Sequence, residues 1–139
     1  MRWLATLSIT LLLVACTSED VQGFRSSDKQ YMEELVFLLQ KAGVPYQEYQ
    51  DGSIRYKSTD EDAVRKIRER ITNAVSVRYE EEEAREYLKS LLSEGNREFR
   101  EELKDGQVWI RWYPETEGQE KEIEMKVVQY VFDRKGKVE

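Results

Sequence analysis

The apolar stretch near the start of the chain limits what the rest of the sequence can fold into. It covers residues 3–14 and follows a single cation, Arg2. Twelve residues are too few to cross a hydrocarbon core of roughly 30 Å, which needs about 20 apolar residues in a helix. They match instead the apolar region of an export signal. No second stretch of this kind exists, so the remaining chain is expected to fold as one water-exposed unit.

The only cysteine of the chain, Cys16, comes directly after this stretch, in the sequence Leu13-Val14-Ala15-Cys16. These four residues resemble the lipobox of bacterial lipoproteins. The resemblance implies that the signal peptide is removed before Cys16 and that the thiol then carries diacylglycerol, with palmitate as a further acyl chain. Two or more acyl chains anchor a protein stably to a membrane. With its one cysteine lipidated, the domain would contain no internal disulfide.

The residue after the cysteine bears on which membrane holds the anchor. In Gram-negative lipoproteins an aspartate at this position commonly retains the protein in the inner membrane, and here the residue is Thr17. The resemblance therefore implies an anchor in the outer membrane, facing the periplasm. In a cell with a single membrane it implies the outer leaflet of the cytoplasmic membrane.

Length and composition divide the chain into four predicted segments. These are a signal peptide (1–15), a lipidated N-terminus with a flexible tether (16–29), a globular α+β domain (30–133) and a polar tail (134–139). Without residues 1–15 the 139-residue chain keeps 124, the size of one ordinary domain. The thirteen polar residues 17–29 would reach about 20 Å. A formal net charge of −6, with both signs interspersed, argues against a nucleic-acid partner.

The first half of the domain has the pattern helix-strand-strand-helix. Apolar residues at spacings of three and four, from Tyr31 to Ala42, predict a helix that begins near Ser27, with Ser27 or Asp28 as its cap, and ends at Gly43. This helix has apolar side chains on more than one side, so we expect it to be buried on more than one side. Asp51-Gly52 joins two short runs rich in Tyr, Val and Ile, which predicts a hairpin. A second helix should begin near Ser58, with an apolar face of Val64, Ile67, Ile71 and Ala74.

The second half predicts a helix followed by an antiparallel sheet. Residues 73–79 suit a short strand or an extended linker, and a helix should then run from the acids at 80–83 to Gly95. Residues 97–104 fit either a helix or a strand. Alternating side chains predict strands over 107–113 and 122–132.

A weak internal echo links the two halves. Both halves contain, in the same order, two leucines, a glycine, an Asp-Gly pair and an Ile-Arg-aromatic triplet. In the first half these are Leu38-Leu39, Gly43, Asp51-Gly52 and Ile54-Arg55-Tyr56. In the second half they are Leu91-Leu92, Gly95, Asp105-Gly106 and Ile110-Arg111-Trp112. One interpretation is a duplication, under which residues 97–104 form a strand. The other is coincidence, since leucine and glycine are common.

The residue types argue against catalysis. The chain has no histidine, which removes the commonest general base, the usual catalytic triads and most zinc sites. The acids at 60–62 and 80–83 have the positions of helix N-terminal residues rather than of a paired-acid site or a calcium loop. We predict no catalytic residue, metal or cofactor.

An aromatic strand is the most promising binding feature of the sequence. In residues 107–113, Val108, Ile110 and Trp112 should face the core, which places Trp109, Arg111 and Tyr113 on the opposite face. An exposed row of Trp, Arg and Tyr would suit a glycan or a protein partner. The alternative is cross-strand packing that only stabilises the sheet.

The sequence thus predicts a non-catalytic, membrane-tethered envelope module that binds or scaffolds proteins. A lipidated inhibitor or immunity protein for a toxin or envelope hydrolase is the second hypothesis, because an acidic surface would steer it to a basic enzyme. A hydrolase that uses carboxylates is the third, and it requires a cleft with two facing acids. The partner and the oligomeric state stay open.

Overall fold

The computed structural model describes residues 20–136, so the predicted signal and lipobox, Cys16 included, lie outside the described residues. These residues fold into four α-helices and two small antiparallel sheets, which confirms the α+β class. The elements, in chain order, are β1 (Val21–Phe24), α1 (Lys29–Ala42), β2 (Gln47–Glu48), β3 (Ile54–Lys57), a 3₁₀ turn (Ser58–Asp60), α2 (Glu61–Thr72), β4 (Val75–Val77), α3 (Glu82–Glu94), β5 (Phe99–Lys104), β6 (Gln107–Trp112) and α4 (Gln119–Lys135).

The two halves repeat one topology. Repeat 1 (residues 21–72) and repeat 2 (75–135) each have the order strand, helix, strand, strand, helix. In each, the third strand lies in the middle, giving β1-β3-β2 in sheet 1 and β4-β6-β5 in sheet 2. The structure therefore supports the duplication. Residues 97–104, for which the sequence fits either a helix or a strand, contain β5.

Strand register and helix ends agree between the repeats position by position. Gly23 and Gln47 both oppose Arg55, as Ser76 and Arg100 both oppose Arg111. Equivalent residues are therefore 53 positions apart from the first strand to the second (23 to 76, 47 to 100). They are 56 apart on the third strand (55 to 111), because the second hairpin is longer. The left-handed residues after the first helix also match: Gly43 has φ 66° and Asn96, 53 positions on, has φ 51°.

Each repeat has its own apolar core on one face of its sheet. In sheet 1 the side chains of Ile54 and Tyr56 point towards α1 and α2, and in sheet 2 those of Ile110 and Trp112 point towards α3 and α4. The buried residues contributed by the helices are Leu35, Leu38, Leu39, Val64, Ile67 and Ile71 in repeat 1 and Ala84, Leu88, Leu92, Ile123 and Val127 in repeat 2.

One predicted strand is wrong. Residues 122–132, read as a strand from their alternation, lie within helix α4. Ile123 and Val127 point to the core, whereas Val128 and Phe132 point to solvent. When a helix has apolar residues on two opposite sides, some of these residues lie two positions apart in the sequence. Over a few residues this spacing looks like the alternation of a strand.

The predicted tether and tail are also corrected. Within 16–29, residues Val21–Phe24 form β1, which pairs with β3, and Asp28 caps α1 by accepting a hydrogen bond from the Tyr31 amide. The folded unit thus includes residues 20–29, which were predicted to belong to the tether. At the other end, α4 continues to Lys135, so the predicted polar tail starts inside a helix.

Candidate interaction surfaces

The predicted aromatic row lies on the face of sheet 2 that was expected, but that face is not open. Ile110 and Trp112 are buried under α3 and α4, as predicted, and Trp109, Arg111 and Tyr113 belong to the opposite side. Helix α1 of repeat 1 covers this side. Tyr113 is 0 % exposed and belongs to the core of repeat 1. The expectation of an exposed Trp-Arg-Tyr surface is therefore wrong for Arg111 and Tyr113.

A buried ion pair joins α1 to sheet 2. Glu34, which is only 1 % exposed, places Oε1 2.7 Å from Nε of Arg111. The same guanidinium donates through Nη1 to the Ser76 hydroxyl at 3.1 Å, so β4 and β6 are both tied to α1. Gln30, one turn earlier on α1, donates to Glu34 at 3.1 Å and to Glu102 of β5 at 3.4 Å.

The protonation states at this junction follow from burial and charge. Burial alone would lower the pKa of Arg111, but the bond to Glu34 and the charge of that carboxylate more than offset it, so the pKa is raised. Burial, reinforced by the Glu34 charge, raises the pKa of Tyr113 to about 12. At neutral pH Arg111 is therefore a cation and Tyr113 a neutral phenol.

Phe37 and a second ion pair complete the junction between the repeats. The ring of Phe37 lies 6.3 Å from that of Tyr113, and the Arg100 guanidinium stands 5.6 Å from the Phe37 centroid. At the edge, Arg70 of α2 approaches Glu98 to 2.6 Å. Burial tends to raise the pKa of Glu98, but the hydrogen bond from Arg70, a backbone hydrogen bond and the charges of Arg70 and Lys41 together outweigh it, and the pKa is lowered. As expected for α1, the helix is buried on more than one side.

Trp109 is partly exposed, in contrast to the buried Tyr113 and to Arg111, whose guanidinium is paired with α1. It lies at the far end of β6, where the Arg78 guanidinium stands 6.0 Å from its ring. A single half-buried tryptophan beside one cation fits the interpretation that these aromatic residues only stabilise the sheet better than it fits a binding row.

The largest exposed apolar feature of the helices is on α4. Met125, Val128 and Phe132 are 71 %, 58 % and 72 % exposed. Their spacing of three and four residues lines them up along one side of the helix, opposite the buried Ile123 and Val127. We call these three residues the α4 stripe. The sequence already carried the signal, since the second face of residues 122–132 reads as apolar, but assignment to a strand hid the helical spacing.

A shallow hollow of about 430 Å³ lies beside the contact between α3 and α4. The rings of Tyr87 and Tyr130 stack at 4.0 Å with an interplanar angle of 10° and form its base. Its rim is formed by three glutamates and a serine: Glu82, Glu83, Glu86 and Ser90. We call it the acid-tyrosine hollow. It offers negative charge beside two tyrosine rings, which is an environment that suits a guanidinium or ammonium group.

Within residues 20–136 no helix combines the length and apolarity that a membrane span requires. In the same part of the chain no three acidic or cysteine side chains come together as a metal site would need. Comparison with protein-family models, with curated proteins and with solved structures finds no match to this chain.

Proposed function

We propose that the chain is a non-catalytic lipoprotein of the bacterial envelope that is tethered at Cys16 and binds or scaffolds another protein through the α4 stripe. The observation that carries this proposal is the exposure of Met125, Val128 and Phe132 on a helix whose opposite side is already packed. Thr17 after the anchoring cysteine favours the outer membrane, with the domain facing the periplasm.

The composition and geometry of the stripe suit a protein partner. Methionine and aromatic residues are enriched in protein interfaces. Apolar side chains at spacings of three and four are the pattern with which a helix enters an apolar groove of another protein. Because the stripe makes no contribution to the core of repeat 2, its apolar character has no evident use inside the folded chain. The proposed occupant is therefore a protein with an apolar groove.

The short link between anchor and fold supports action at the membrane surface. Strand β1 begins at Val21, only five residues after Cys16. Five extended residues span at most about 18 Å. A lipid on Cys16 would therefore hold repeat 1 within that distance of the headgroups, and the partner would have to be at the membrane as well.

The test is site-specific photo-crosslinking in cells that express the full-length chain. A photoreactive residue replaces Phe132, and irradiation should give a discrete adduct of higher mass. Adding Val128→Glu should remove the adduct, because a charge would enter the apolar groove. The matched control, Gln129→Glu, adds the same charge one residue further along α4 and should leave the adduct in place. No adduct, or an adduct that survives Val128→Glu, would overturn the proposal.

A second candidate is a lipidated inhibitor of a basic enzyme, and the acid-tyrosine hollow is the observation that favours it. Three glutamates above two stacked rings would accept a cationic side chain of such an enzyme. The identity of the crosslinked partner separates the candidates: a toxin or hydrolase whose activity falls in the complex supports inhibition.

A further inference from the structure

The internal repeat leaves two equivalent surfaces unmatched. Within the chain, α1 of repeat 1 covers the outer face of sheet 2. The outer face of sheet 1 has no covering helix in residues 20–136, and α3, the equivalent of α1, turns the corresponding side to solvent. The helix-on-sheet contact between the repeats is therefore made once in residues 20–136, and the equivalents of both its halves, the outer face of sheet 1 and the side of α3, do not meet each other.

The outer face of sheet 1 centres on Arg55. It occupies the position of Arg111, flanked by Gly23 and Gln47. Arg111 is bonded to Glu34, whereas Arg55 is exposed, with its guanidinium 4.1 Å from the centroid of the Tyr49 ring. No carboxylate in residues 20–136 forms an ion pair with Arg55.

The matching side of α3 forms the acid-tyrosine hollow. Gln30, Glu34 and Phe37 of α1 make the contact within the chain, and the residues 53 positions further on are Glu83, Tyr87 and Ser90. All three line the hollow. Repeat 2 thus has a tyrosine where repeat 1 has Glu34, with glutamates beside it. A guanidinium placed there would meet the carboxylates and one tyrosine ring, since the two rings stack on each other.

The present partners of these glutamates can be exchanged. Glu83 lies 3.8 Å from Arg134 with both side chains largely exposed. Glu86 is 2.7 Å from Lys89, which also has Glu101 at 2.6 Å. Ion pairs at the surface contribute little to stability because water and salt screen them, so a new cation can replace the present partners readily.

We propose that a second copy of this chain docks on the outer face of sheet 1, with its α3 across the sheet and Arg55 in its acid-tyrosine hollow. A second copy is the partner because every copy carries both complementary features, the exposed Arg55 on sheet 1 and the glutamates of the hollow on α3. The contact is head-to-tail, so a pair of copies keeps one free surface of each kind and can add a further copy at either end. Anchoring at one membrane would raise the local concentration of copies.

Cysteine crosslinking of the full-length chain at the membrane tests this contact. Arg55→Cys and Glu83→Cys chains, with different tags, are expressed together and oxidised. A disulfide that joins the two differently tagged chains is expected. The control pairs Arg55→Cys with Lys66→Cys, whose thiol lies on the exposed side of α2, and the yield of mixed disulfide should be at least tenfold lower there. A chain carrying both Arg55→Cys and Glu83→Cys should give a ladder of oligomers.

Charge reversal gives an independent readout on the native oligomers in mild detergent. Arg55→Glu and Glu83→Arg should each shift the chain to monomer, and the double variant should recover association; Lys66→Glu serves as the charge control. Absence of the mixed disulfide, or no recovery in the double variant, would overturn the proposal. A third outcome would also overturn it: anionic lipid vesicles protect Arg55→Cys from a water-soluble maleimide, and no mixed disulfide forms. A membrane would then occupy this face. None of these outcomes depends on the adduct formed at position 132.

Discussion

Glu34 shows how one residue decides the relation between the repeats. It interrupts an otherwise apolar side of α1, and it is the one buried charged residue among those described. Local periodicity predicts that α1 is buried on more than one side, but it does not reveal that a carboxylate on α1 meets Arg111. The alternation of β6 likewise identifies the face of Arg111 and Tyr113 without indicating that another helix covers it.

The junction should respond asymmetrically to substitution. Glu34→Ala leaves the Arg111 cation partly buried without a counterion, and we expect the free energy of unfolding to fall by about 3 kcal/mol. Replacing both members, as Glu34→Leu with Arg111→Met, removes the unpaired charge and should restore stability to within about 1 kcal/mol of the parent. Urea denaturation measures both values. A loss below about 1 kcal/mol for Glu34→Ala would show that the pair does not hold the repeats together.

At the scale of elements, α4 and β1 are where the sequence misleads. In α4, apolar residues on both sides satisfy a period of two and a period of 3.6 at once. The local sequence therefore does not decide between a strand and a helix. In β1 the four residues VQGF have no strand pattern of their own. They become a strand because β3 offers an unpaired edge, and pairing between distant segments is invisible to a local reading. Residues 97–104 became interpretable only through the duplication.

The two sides of α4 should differ sharply in their effect on stability. Ile123→Ala removes buried methyl groups from the core of repeat 2 and should cost about 2–4 kcal/mol. Phe132→Ala, on the α4 stripe, should change stability by no more than about 0.5 kcal/mol. Thermal or urea unfolding of the two variants side by side provides the measurement. A comparable loss for Phe132→Ala would mean that the stripe packs within the folded chain, and its role as a binding surface would be lost.

At the scale of the whole molecule, residues 20–136 form a duplicated unit whose repeats meet where α1 covers the outer face of sheet 2, with the Arg70–Glu98 ion pair at the edge. The fold class followed from the sequence, since its helices and the hairpins around Asp-Gly are encoded locally. The duplication was visible only as an echo, because the hairpins differ in length and shift the spacing from 53 to 56 positions. The α4 stripe and the acid-tyrosine hollow can be recognised only once the packing of the helices is known. Residue spacing in the sequence does not determine that packing.

The anchor at Cys16 is the claim on which the functional account depends, and labelling with a fatty-acid probe tests it most directly. The full-length chain and a Cys16→Ser variant are expressed in bacteria with the probe, and membrane and soluble fractions are compared. We expect the parent chain to be labelled and to sediment with the membrane, and the variant to lose the label. Labelling that persists in Cys16→Ser, or a parent chain without label, would contradict the account.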